Sequence, residues 1–179
     1  MMNSSGDEGV EAAVTLGLLA AWVLHDLEEL ATVPGWWRRN LPALRERYPA
    51  VPEAVWRRAG SVDGREFAVA VGAMAAVVAS ASVAGRLTGG RSATYQTALH
   101  AFGLHGLVHL VQAGLVRGYT PGSATAPLIV VPFTLWARRR LRRAGVLRAT
   151  RPRDLAVGLG FAGAATVAAH GVARRLTRG

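Results

Sequence analysis

Histidine and glutamate gather at two places in this chain of 179 residues. The first is His25-Asp26-Leu27-Glu28-Glu29, which closes the uncharged run AAVTLGLLAAWVL. At 3.6 residues per helical turn, His25, Glu28 and Glu29 share one face about 100° wide, with Asp26 at its edge. The second is the stretch Tyr95 to Val116, which holds His100, His105, His109 and Gln112 but no acid and no Arg. On the same wheel His105, His109 and Gln112 fall within about 60° of one another, Ala101 and Phe102 continue the stripe, and His100 points away. A histidine pair at i, i+4 is a spacing that can hold one metal ion. Neutral imidazole with carboxylate suits Zn²⁺, Fe²⁺ or Mn²⁺. The expected divalent-metal ligands are therefore His25, Glu28, Glu29, His105 and His109, and the expected catalytic groups are His25, Glu28 and Glu29. Without a metal, the same residues suit acid–base chemistry of the isomerase type, a glutamic acid donating a proton inside an apolar cavity. The plain alternatives are histidines that only hydrogen-bond across a bundle, and an HDLEE solvated at a membrane boundary.

Helices must carry these groups, and the composition says where those helices lie. Hydrophobic residues make up 51% of the chain, yet the formal net charge is +10 and all 21 basic residues are Arg. Apolar runs and Arg clusters are segregated, the pattern of membrane spans with basic loops. The expected fold is all-α: one integral membrane helical bundle over residues 1–179, in a cell membrane, with about five transmembrane segments. These are residues 10–33, 67–87, 95–116, 124–137 and 155–172, the last with His170 near its end. The fourth is short and interrupted by Pro127 and Pro132, and the block RRRLRR is expected to stop it. Residues 34–66 hold four prolines, seven arginines and Trp36, Trp37 and Trp56, so they are expected to form short helices at most, in a loop or at the interface. Arg counts on the two sides are 11 and 10 for five crossings, but 16 and 5 if the fourth segment fails to cross. The second pattern obeys the positive-inside rule, with the amino terminus outside, whereas length favours five crossings.

Several classes are excluded. Arg clusters that flank apolar runs, with no nucleic-acid signature, argue against nucleic acid as partner. The absence of Cys excludes disulfides and thiolate metal sites. An acidic amino terminus without a small-residue cleavage site argues against a cleaved signal peptide. HExxH is absent, and the EExxxR of glutamic intramembrane proteases fails because Val33 stands at the Arg position.

The segment Tyr119-Thr120-Pro121-Gly122 predicts a type II turn, Pro at i+1 and Gly at i+2, where φ is positive. Tyr119 either anchors at the interface or turns its hydroxyl toward the site. With this turn on the page, the sequence resembles the HXXEE-domain membrane proteins, a bacterial group marked by HxxEE, a further histidine and YxPG. Here these are His25, Glu28 and Glu29; His105 or His109; and Tyr119, Pro121 and Gly122. The resemblance spans roughly residues 14 to 143 and implies no established activity. The expected function is a membrane-embedded enzyme acting on a lipidic or small apolar substrate. The alternative is a non-catalytic transporter, metal carrier or assembly partner, although no inverted repeat supports a transporter.

Overall fold

The computed structural model describes residues 10–61, 63–149 and 171, all helix and connecting turns with no strand among them. Six α-helices follow in order: α1 (Ala12–Thr15), α2 (Gly17–Arg47), α3 (Glu53–Gly60), α4 (Gly64–Leu87), α5 (Ala93–Val116) and α6 (Val131–Arg143). A π-helical turn, Ala126–Val130, leads directly into α6. The expected span at 155–172, with His170, lies outside the described residues.

Among the described residues, two helices, α4 and α5, are long and apolar enough to cross a membrane. Only 22% of the apolar window of each is buried within the protein, which separates them from the core helix of a soluble fold. Both start as their sequences dictate. The Asp63 carboxylate accepts from the Arg65 N–H at 3.2 Å, and the Ser92 hydroxyl accepts from the Tyr95 N–H at 3.3 Å. Each cap satisfies a backbone donor that the first turn leaves without a partner.

The first segment departs from expectation. A turn at Leu16 separates α1 from α2, and α2 then runs 31 residues straight through Pro34 and Pro42. Residues 34–66 are therefore not a proline-broken loop; their first part is the second half of α2. An interior proline forfeits an i→i−4 hydrogen bond and costs about 3 kcal/mol. Tertiary contacts offset it. Trp36 Nε1–H donates to the Tyr119 carbonyl at 2.7 Å, Tyr48 Oη–H to the Leu115 carbonyl at 2.7 Å, and an Arg47 guanidinium N–H to the Val116 carbonyl at 2.9 Å. The last two serve carbonyls that the end of α5 leaves unsatisfied, and Arg47 brings a cation to the negative end of its dipole. Trp36, Leu44 and Trp56 close a small core beneath this contact.

The fourth segment also differs. Pro127 stands in the first turn of the helical stretch, where a missing N–H is cheap, and Pro132 follows directly on the π-helical turn. Helix α6 runs on through the block RRRLRR and ends at Arg143. Arginine is a good helix former, and cations in a last turn favour the dipole.

The main core joins Val14, Leu18 and Trp22 to Val78, Tyr95, Leu99, Phe102, Val130 and Leu141. Small residues set how closely the helices approach. A Cβ on Gly85 of α4 would lie 2.5 Å from the Tyr95 ring, and Tyr95 in turn donates its hydroxyl to the Val14 carbonyl. On the other side of α5, a Cβ on Gly103 or Gly106 would lie 2.7 Å from Thr134 or Val130. Buried Gln96 straps the chain after α6, donating to the Gly90 and Val146 carbonyls at 2.8 and 2.9 Å and accepting from the Arg148 N–H at 2.9 Å.

Candidate metal centre

His25 and Glu29 on α2, and His105 and His109 on α5, each stand at i, i+4, and each helix presents its pair to the other. His105 Nε2 and His109 Nε2 stand 2.9 Å apart. Glu29 faces both, with carboxylate oxygens 3.4 Å from His109 Nε2 and 4.0 Å from His105 Nε2. His25 completes the group, its ring centroid 5.1 Å from that of His105 and 4.9 Å from that of His109. One ligand atom from each of His25, Glu29, His105 and His109 lies within 4.8 Å of every other. His25 is fully buried and His109 nearly so, whereas the His105 side chain is 46% exposed, so the cluster opens on one side only.

Glu28 corrects the expectation of a fifth ligand. Its carboxylate turns to the loop after α5, where four donors converge on two oxygens. Tyr119 Oη–H (2.7 Å) and the Ala124 N–H (3.3 Å) reach Oε1; the Thr125 N–H (2.8 Å) and Thr125 Oγ1–H (2.6 Å) reach Oε2. Desolvation, and then the Glu28 carboxylate that it faces, hold the Tyr119 phenol above its usual range, so it remains a donor.

Thr125, which nothing in the sequence singled out, ties this carboxylate to the cluster. Its Oγ1 also lies 2.7 Å from His25 Nδ1. A hydroxyl has one proton, and here it goes to Glu28, so the Thr125 oxygen must accept from His25 Nδ1–H. His25 is thereby fixed as the Nδ1–H tautomer, with its lone pair on Nε2. That Nε2 is buried and has no hydrogen-bond partner. A carboxylate that orients a histidine through its other nitrogen is the usual support of a metal-binding imidazole. The orphaned lone pair thus fits a cation, and so does the mixed imidazole–carboxylate donor set.

The turn that delivers Tyr119 and Thr125 is the expected one. Ser123 N–H donates to the Thr120 carbonyl at 3.0 Å across Pro121 and Gly122, and Gly122 has φ +81°. Gly122 also presses on the His109 ring. A single unit therefore joins HxxEE, the later histidine and YxPG. A model of the family described as "Protein of unknown function with HXXEE motif" matches residues 16–137.

The chain belongs to the HXXEE family. In this HXXEE protein the motif resolves into unequal parts: the second glutamate enters the cluster and the first holds the loop. No curated protein and no solved structure matches the chain.

The remaining expected residues fall outside the cluster. Gln112 is exposed, and His100 lies on the other side of α5. Asp26, placed only at the edge of the helical face, is buried with Oδ2 unpartnered, so it is a second acidic group inside the fold.

Proposed function

We propose that this HXXEE protein is a membrane-embedded, metal-dependent enzyme acting on a lipidic or small apolar substrate. The observation that carries the reading is the convergence of His25, Glu29, His105 and His109, with an unpartnered His25 Nε2. A divalent cation held by these four residues would supply Lewis-acid activation of a bound oxygen or water. The chain's own groups do the rest. Glu29 is a ligand or a base toward that oxygen, Thr125 and Glu28 hold His25 in one tautomer, and His109 is backed by the YxPG turn. The open side at His105 is where a substrate enters. The exposed apolar faces of α4 and α5 support a location in the membrane, because few soluble surfaces leave so much contiguous apolar area in water.

The deciding measurement is elemental analysis of gently purified, detergent-solubilised protein. One Zn, Fe or Mn per chain is expected, with loss in Glu29→Gln and His109→Ala and retention in Gln112→Ala. A folded protein that takes up no metal after repletion would remove the metal and leave only the acid–base alternative. Stoichiometric metal that moves across liposome membranes would instead favour a carrier.

A further inference from the structure

A second site lies across α5 from the His/Glu cluster. A cavity of about 330 Å³ opens between α5 and α6, a size within the range of small-molecule pockets. Gly103 abuts Thr134 and Gly106 abuts Val130, so the two helices run antiparallel here. That register makes the lining graded. One end holds Leu107 and Val131, the middle Leu104 and Leu135, and the other end His100 and Arg138.

Two observations point to a ligand, one at the polar end and one midway along the slot. Arg138 is half-buried, and among the described residues no carboxylate pairs with it. Its neighbours in the last two turns of α6 are further arginines, one of which, Arg140, is already engaged by Glu11. Thr134, only 7% exposed, lines the same cavity, and its Oγ1 has no hydrogen-bond partner. An unpaired guanidinium at the end of an apolar slot is complementary to an anionic group carrying a hydrocarbon chain. We propose that this cavity binds an anionic, acyl-chain lipid, its headgroup on Arg138 and part of its chain along Leu104, Leu107 and Leu135. The proposal is independent of the metal; it rests on the membrane reading only for the source of the lipid.

The test is native mass spectrometry of the full-length protein in detergent, offered phosphatidylglycerol or phosphatidylcholine with the same chains. Phosphatidylglycerol should be retained as a single copy in preference to phosphatidylcholine. Arg138→Gln should lower that retention about tenfold, and Leu107→Trp, which fills the slot, should lower it as much. Arg139→Gln removes the same charge from an exposed neighbour and should leave retention unchanged. Equal retention of both lipids would overturn the proposal, as would equal losses in Arg138→Gln and Arg139→Gln, which would signify surface charge alone. Retention that survives Leu107→Trp would also overturn it. So would an absence of bound lipid together with shielding of the Leu107→Cys variant from thiol reagents, because the chain itself would then fill the slot. Metal content, measured on the same samples, reports separately on the His/Glu cluster.

Discussion

Gly122 lies against the imidazole of His109, so closely that a Cβ on it would sit 2.7 Å from Cε1 and Nδ1. This contact links the turn after α5 to the histidine that helps form the cluster, and it gives Gly122 two reasons to be glycine. The backbone there has φ +81°, and the space a side chain would need is occupied by a ring. Gly122→Ala should therefore lower stability on the order of 1–3 kcal/mol and displace His109. Thermal melts in detergent and the metal stoichiometry of the variant check both parts. An alanine variant with unchanged melting and unchanged metal would show that the contact is slack.

Thr125 offers a sharper separation. Thr125→Val keeps the shape but removes the oxygen between His25 and Glu28, whereas Thr125→Ser keeps the oxygen. Valine should weaken metal affinity about 10–100-fold, the usual effect of losing an outer-sphere partner, and serine should restore most of it. Competition against a chelator measures the difference. Equal affinities for valine and wild type would mean that the tautomer of His25 is set by something else.

Asp26 works against the fold. A buried carboxylate without a partner costs free energy that an amide of the same shape costs less of. Asp26→Asn should raise the melting temperature, with a gain of about 1–2 kcal/mol. A lower melting temperature would reveal that the carboxylate is held by an interaction that benefits from its charge.

Arg117 ends α5 with φ 55°, a left-handed conformation that costs a residue with a Cβ about 1 kcal/mol. Arg117→Gly should stabilise the protein by about that amount without altering metal content. Destabilisation would place the arginine side chain in a contact worth more than the strain.

The sequence makes α4 and α5 readable because each holds a long apolar run, free of Asp, Glu and Arg from Phe67 to Gly85 in one and throughout the other. The His105/His109 pair at i, i+4 and the Pro121-Gly122 turn are equally local, and the structure realises both. What escapes a local reading depends on distant partners. Pro34 ends a helix by its own chemistry, and only the bond from Trp36 to Tyr119, 83 residues away, shows why α2 continues. Glu28 and Glu29 share one helical face, so choosing between them requires knowing on which side α5 lies and on which side the Tyr119 loop lies. Thr125 stands where a threonine would cap its own helix, and its hydroxyl instead serves α2.

The four clustered side chains come from α2 and α5, yet these two helices touch each other sparsely. Both lean instead on α4 and on the π-helical turn. The gap between His25/Glu29 and His105/His109 is thus set by third parties, as the jaws of a caliper are set by its frame. A change in the tilt of α4, such as a thinner or thicker bilayer would impose if α4 spans a membrane as proposed, would be transmitted to that gap before any ligand side chain changed rotamer. The grip of the cluster is in this sense mechanically tied to the surroundings of a helix that contributes no ligand to it.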